Sequence, residues 1–322
     1  MSEHLLSVKD LHTSFTTDNG EVHAVNGVSF NLDAGKVLGI VGESGSGKSV
    51  TAYSIMQILA ENGRITGGSV EYKGEDITKW NKKQMAAFRG KCCSIIFQDP
   101  MTSLNPVFSI GNQLEEAIRM HTDKNHKQAR ERAVELLTLV GVNEPTKRIK
   151  QYPFELSGGM ARRVLLASAV MEHPQFIIAD EPTPGLDVKA AQLVLSHFRE
   201  LASEGTAVLF ITHDLELALT VAHRVAVFYA GETIEEADAE CFLSGRLGHP
   251  FTQALWNAMP QRGFQALAGA QPYPGEVEQG CPFRDQCPHP GRDCGENSIP
   301  LLPYGNGAVR CLYPDQGGVA EC

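Results

Sequence analysis

Residues 37–52 read VLGIVGESGSGKSVTA. An apolar run, Val37 to Val41, enters a glycine-rich loop, and the loop enters a helix-forming stretch. The loop from Gly42 to Ser49 is a complete G-x-x-x-x-G-K-S. In that pattern the backbone N–H groups of Gly42, Ser44, Gly45, Ser46 and Gly47 curl around nucleotide phosphates, and the following helix N-terminus adds its partial positive charge. Lys48 supplies a point charge to the phosphates, and the Ser49 hydroxyl is placed to ligate Mg²⁺. With ordinary residue usage, a chain of this length matches the bare pattern by chance about once in a hundred. Strand before and helix after make the coincidence rarer still, so ATP-type nucleotide binding is the expectation.

Working outward, short apolar runs alternate with longer helical patterns, as in an α/β protein with a largely parallel sheet. Ser94–Phe97, Phe176–Ala179 and Ala207–Ile211 are further buried-strand candidates. The first forty residues alternate apolar and polar positions around an Asn19-Gly20 pair, which predicts an antiparallel hairpin laid against the core. From Ile110 to Glu172 the pattern is mostly helical, as for an inserted helical subdomain. Composition shifts near His249-Pro250: the stretch from Phe251 onward holds nine of the 17 prolines and five of the eight cysteines, with no lysine. Prolines at that density exclude many long helices. The expected division is therefore a main domain over residues 1–250 and a small, irregular cysteine-rich extension over 251–322.

The formal charge is −10, with 38 acidic against 28 basic residues, which argues against a phosphate-driven nucleic-acid binder. No run approaches the roughly 18 to 20 apolar residues that cross a bilayer. The N-terminus lacks a basic patch followed by an apolar run, so no secretory leader is expected. A cytosolic setting follows, in which cysteines are read as reduced thiols or metal ligands.

Two further motifs carry chemistry. Phe176-Ile-Ile-Ala-Asp180-Glu181 is an apolar strand ending in two acids. Ligands in open α/β sheets sit at the carboxyl ends of strands. Asp180 is thus placed to hold Mg²⁺ through water, and Glu181 to polarise an attacking water as general base. Leu156-Ser157-Gly158-Gly159 opens a helical run and exposes N–H groups suited to an anion.

The order of motifs resembles the ATPase subunits of ABC transporters: phosphate loop, Phe97-Gln98-Asp99-Pro100, Leu-Ser-Gly-Gly, Asp180-Glu181, Leu186-Asp187, then Thr212-His213-Asp214. Within that superfamily the chain is similar to the oligopeptide, dipeptide and nickel importer group. The stretches that carry this are VGESGSGKSVTA (41–52), IFQDPMTSLNPVFSIGNQ (96–113), YPFELSGGM (152–160), HPFTQALWNAMP (249–260) and GCPFRDQCPHPGRDC (280–294) with RCLYP (310–314). The resemblance implies a P-loop NTPase core with an antiparallel β subdomain and a helical subdomain. It implies that Gln98 touches Mg²⁺ or the attacking water and faces the membrane subunit, and that His213 contacts the γ-phosphate. Asp187 communicates across a dimer, Ser157, Gly158 and Gly159 close over the ATP of a partner subunit, and Phe15 stacks on adenine. Two departures stand out. Ala161-Arg162-Arg163 replaces an Arg-Gln-Arg or Ser-Gln-Arg run, and Thr183-Pro184-Gly185-Leu186-Asp187 replaces Thr-Thr-Ala-Leu-Asp. Neither removes a catalytic group; both bear on turnover and coupling.

Cys281, Cys287, Cys294 and Cys311 are separated by five, six and sixteen residues, spacings that leave zinc and iron–sulfur both open. The resemblance implies a 4Fe–4S cluster over zinc, in a tail that docks subunits. Cys92 and Cys93 read as packing residues, Cys241 as lacking a partner and Cys322 as a bystander. The implied assembly pairs this chain with a second, related ATPase subunit, two transmembrane permeases and an extracytoplasmic solute-binding protein, at the cytoplasmic face of the membrane and without nucleic acid. The expected cargo is dipeptides or oligopeptides. Nickel or a metallophore is the alternative, and a soluble non-transport ABC ATPase is the more distant one.

Overall fold

A computed structural model describes residues 4–314 apart from 172, 264–268, 274, 275 and 278. In chain order the strands are β1 (Leu6–Thr17), β2 (Gly20–Leu32), β3 (Val37–Gly42), β4 (Gly63–Tyr72), β5 (Glu75–Asp76), β6 (Cys93–Ile96), β7 (Phe176–Asp180), β8 (Ala207–Thr212), β9 (Arg224–Tyr229), β10 (Glu232–Asp238), β11 (Leu302–Tyr304) and β12 (Gly307–Val309). The α-helices are α1 (Lys48–Met56), α2 (Lys82–Phe88), α3 (Pro100–Ser103), α4 (Ile110–His121), α5 (His126–Leu139), α6 (Pro145–Arg148), α7 (Gly158–Ala169), α8 (Val188–Ser203), α9 (Leu215–Val221), α10 (Ala239–Ser244) and α11 (Pro250–Asn257). Among the described residues no helix is long and apolar enough to cross a membrane. The chain forms two compact units, one of residues up to Asp33, Val37–Trp80 and Phe210 onward, the other of Ala34–Lys36 with Asn81–Leu209.

The first unit holds an antiparallel sheet of order β2-β1-β4-β5. Its alternation buries Leu6, Val8 and Leu11 of β1 with Val28, Phe30 and Leu32 of β2. The expected hairpin forms, with Thr17 pairing Gly20, so the turn tip is Asp18-Asn19 rather than Asn19-Gly20. Gly20 takes φ 114°, the left-handed region in which glycine closes such turns without strain. In the same unit, strands run in the order β11-β12-β10-β9-β3. All six residues of β3 are buried, parallel to β9. Ala230 (φ 48°) and Gly231 (φ 84°) turn β9 back into β10, two successive left-handed residues that match the twist of a hairpin.

The cysteine-rich tail was expected to be irregular, and in part it is not. β12 pairs with β10, Glu235 opposite Val309 and Glu236 opposite Ala308, so the tail extends a sheet of the first unit. Gly307 permits this, because a Cβ there would overlap the Glu236 carbonyl. Two arginines tie it down. Arg310, 9% exposed, donates to the carbonyls of Gly27, Thr233 and Ile299 at 2.7–2.9 Å. Arg224 bonds Asp238 at 2.7 Å and the Asn306 carbonyl at 3.1 Å.

The second unit places β6 and β7 side by side in parallel, with β8 on the other side of β7. Helices α4, α5 and α7 pack on one another as the helical pattern from Ile110 predicts. Ile110, Leu114 and Ile118 form the buried stripe of α4, and Ala129, Ala133 and Leu136 that of α5. Ser109, Asn125, Ser157 and Asp187 each cap a helix by accepting a backbone N–H, worth about 1 kcal/mol apiece.

Candidate nucleotide site and cysteine cavity

In the first unit, β3 delivers the chain into the phosphate loop. Gly45 (φ 83°) and Gly47 (φ 93°) adopt left-handed conformations that side chains resist. At Gly42 a Cβ would collide with the Phe228 carbonyl, and at Gly47 one would stand 2.7 Å from the Ala24 carbonyl. Glycine is therefore required by contacts inside the chain as well as by any ligand. Lys48 is 7% exposed, and its ammonium donates to the Gly42 and Glu43 carbonyls at 2.7 Å each. Helix α1 starts at this lysine with no side-chain cap on Gly47, and Ser49 stands in its first turn. Phe15 lies half-buried on β1 with its ring edge across Gly63, where a Cβ would stand 2.6 Å from the ring. His213 is exposed immediately after β8, beside Asp214, which caps α9 by accepting from the Leu217 N–H at 3.0 Å.

In the second unit, β7 ends in Asp180, fully buried, followed by Glu181 at 7% exposure. Glu181 sits at φ 47°, a left-handed conformation that turns the chain off the strand. Such backbone strain in a non-glycine residue gathers at functional sites. Gln98 is exposed on a bend after β6, and Asp99 caps α3. Ser157 caps α7 through the Met160 N–H at 3.3 Å, while a Cβ on Gly158 would meet nothing within 4 Å. Asp187 is exposed and caps α8, accepting from Ala190 N–H at 2.9 Å.

Arg162, noted above only as a departure, has a clear place. It is 8% exposed, donating to the Gln98 carbonyl at 2.9 Å and to the Pro184 carbonyl, with Glu181 and Asp99 as nearby carboxylates. One guanidinium thus gathers the bend at Gln98, the strained acid and the loop before Asp187. A glutamine at this position lacks both the charge and the reach of the fork.

The tail holds a second constellation. Cys281, Cys287, Cys294 and Cys311 line one cavity together with His249 and Phe283. Among the described residues no three metal-binding side chains converge as placed on a single ion. The thiols surround the cavity rather than meet at a point. Burial pushes the Cys281 thiol up to about 12, and raises Cys287 and Cys311, with the neighbouring thiols adding to the shift. Against this, each of the three sulfurs accepts a backbone N–H from two residues on: Phe283, His289 and Tyr313. Amides aimed at sulfur favour the thiolate, the form that ligates metal. Phe283 lines the cavity and packs against the buried rings of Tyr229 and Phe251, with ring centroids 4.4–5.6 Å apart. Cys93 is fully buried as expected of a packing residue, whereas Cys241 is disulfide-bonded, correcting the expectation that it lacks a partner; no spacing in the sequence betrays that pairing. Cys322 lies outside the described residues.

Strand, loop, helix and buried strand-end acid define a P-loop ATPase, and known proteins narrow the class. The ABC transporter family matches residues 25–184, and the oligopeptide/dipeptide transporter C-terminal region matches residues 234–294. The oligopeptide transport ATP-binding protein OppD of Escherichia coli (strain K12) is 41% identical over 315 residues, covering 96% of this chain and 93% of the relative. The dipeptide transport ATP-binding protein DppD of Bacillus subtilis (strain 168) is 42% identical over 295 residues, covering 89% and 88%. Among solved structures, the post-hydrolysis dimer of the ATP-binding cassette MJ0796 bound to ADP and Pi matches with a TM-score of 0.67 at 25% identity, over 73% of this chain and 98% of that one. The protein is an ATPase of the ABC type. It belongs to the family of ABC transporter ATP-binding proteins, in the oligopeptide/dipeptide transport group.

Proposed function

We propose that this chain hydrolyses ATP at the cytoplasmic face of the membrane to drive uptake of dipeptides or oligopeptides. It works with two permease subunits, a second and related ATPase subunit, and an extracytoplasmic solute-binding protein. The observation that carries this reading is the presence, in one chain, of a complete phosphate loop and the peptide-transporter C-terminal region. The functional division is an ATPase domain over residues 1–250 and an extension over 251–322.

The roles follow residue by residue. Lys48 and the loop amides from Gly42, Ser44, Gly45, Ser46 and Gly47 bind phosphate, and Phe15 offers its half-buried ring to adenine. Ser49, Gln98 and Asp180 are the oxygen donors that would hold Mg²⁺, a set whose hard oxygens suit that cation. Bound there, Mg²⁺ spreads the charge developing on the phosphates. Glu181 takes a proton from the attacking water, and His213 contacts the γ-phosphate. Ser157, Gly158 and Gly159 cover the ATP of the partner subunit, a role supported by the exposed helix N-terminus at which they stand, with open space before Gly158. Asp187 carries the signal between subunits.

Cys281, Cys287, Cys294 and Cys311 would hold a 4Fe–4S cluster. Four thiols around one cavity, three already receiving N–H donors, fit such a group. Their spread favours a cluster, in which each iron takes one thiolate, over a single zinc ion on which four must converge. When bound, the cluster cross-links the tail as four iron–thiolate bonds.

Affinity purification of the tagged chain from detergent-solubilised native membranes tests the assembly. Two permeases and a sibling ATPase are expected in stoichiometric amounts, and an accompanying binding protein fixes the cargo. Recovery of the chain alone, or with ribosomes, would sink the transport reading.

A further inference from the structure

We infer that His249 is a positioning residue for the cysteine site: its Nε2–H donates to the Cys281 sulfur and thereby raises the reduction potential of the cluster held there. The inference rests on the reading of the four cysteines as cluster ligands.

His249 is 1% exposed, and its Nδ1 accepts the Phe251 N–H at 3.0 Å as the cap of α11. With Nδ1 engaged as an acceptor, the ring proton belongs on Nε2. Nε2 lies 3.9 Å from the Cys281 Sγ, within reach of an N–H···S bond to a large, polarisable sulfur. The ring is not free to turn away. Glu235, 2% exposed, grips the backbone beneath it, one carboxylate oxygen accepting from Gly248 N–H at 2.7 Å and the other from His249 N–H at 2.9 Å. Phe283 packs against the imidazole with centroids 6.0 Å apart.

Capping α11 accounts for Nδ1 and leaves Nε2 unexplained. The other donors to these sulfurs are backbone amides, whose positions the turns dictate. Among the described residues it is at Cys281 that a side chain joins them, adding to the Phe283 amide. A hydrogen bond to thiolate sulfur strengthens as the sulfur becomes more negative. It therefore stabilises the reduced cluster over the oxidised one, which moves the potential upward.

The test uses full-length protein purified anaerobically, with iron and acid-labile sulfide assayed first and the midpoint potential then titrated. His249→Asn keeps an oxygen to cap Phe251 but falls short of Cys281, whereas His249→Gln carries an amide N–H toward the position of Nε2. The expected results are a lowered midpoint in H249N, about tenfold faster loss of iron to a chelator, and a midpoint nearer wild type in H249Q. Equal midpoints in wild type and H249N, both carrying cluster, would overturn the role of His249 and leave the cluster standing. Wild-type protein without iron and sulfide would overturn the cluster reading and this inference with it. A measurement needing no variant decides the matter if H249N does not fold. Protein grown with ring-¹⁵N histidine should show a weak nitrogen coupling to the reduced cluster in pulsed EPR, and its absence would equally rule the bond out.

Discussion

Glu181 holds a backbone conformation that costs a non-glycine residue about 1–2 kcal/mol, at φ 47° directly after the buried Asp180. The strain directs the carboxylate off the end of β7, and glutamine tolerates it no better or worse than glutamate. Glu181→Gln is therefore expected to fold normally and bind ATP with unchanged affinity while its turnover falls by about 10²–10⁴-fold. Steady-state phosphate release beside a nucleotide-binding titration checks this, and near-wild-type turnover would remove Glu181 from the role of general base. This residue was legible in the sequence, because an apolar strand ending in paired acids is a local pattern. Arg162 was legible only as an oddity. Its partners, the carbonyls of Gln98 and Pro184, are 64 and 22 residues away in the chain, and no spacing rule encodes so distant a pair.

Among the elements, most of those with continuous apolar runs were read closely, although β9, RVAVFY, was missed. β3, β7 and β8 fall within one residue of the expected spans, and β6 is displaced by one. Their neighbours on both faces are apolar, so the run itself carries the signal. β4 was missed: its sequence, GRITGGSVEY, is interrupted by glycines and only two of its positions are buried. β10 was missed for the opposite reason, since it buries Glu235 and Glu236, residues that read as solvated. The β11–β12 hairpin escaped because three-residue strands carry almost no periodicity. Its attachment turns on one glycine. Gly307→Ala places a methyl group against the Glu236 carbonyl, and the expected cost is about 1–3 kcal/mol. Hydrogen exchange should report it as faster exchange of the amides around Glu235, Glu236, Ala308 and Val309; unchanged protection there would mean that the backbone yields without losing the pairing.

For the whole molecule, the tail's attachment adds a dependence on pH. Burial pushes the Glu232 carboxyl from 4.5 up to about 7, with the Arg310 guanidinium 3.5 Å away acting against the shift. The folded chain thus holds a proton that the unfolded chain gives up near 4.5, so the stability from this group is full below that pH and is lost as pH rises through about 7. Relative to Glu232→Gln, the wild-type stability should fall between pH 5 and pH 8 by on the order of 3 kcal/mol at most, read as a falling melting temperature. Parallel melting curves at every pH would contradict that burial effect. The sequence alone determined the class of chemistry, because the phosphate loop, the strand-end acids and the capped glycine helix are each written in a few consecutive residues whose backbone behaviour is local. Only the tertiary structure decided how the extension is built: a strand added to β10, an arginine bonded to Gly27 some 280 residues earlier, and a histidine turned onto a cysteine by a buried glutamate. Those contacts depend on burial and on close backbone approach between distant segments, and neither leaves a periodic mark along the chain.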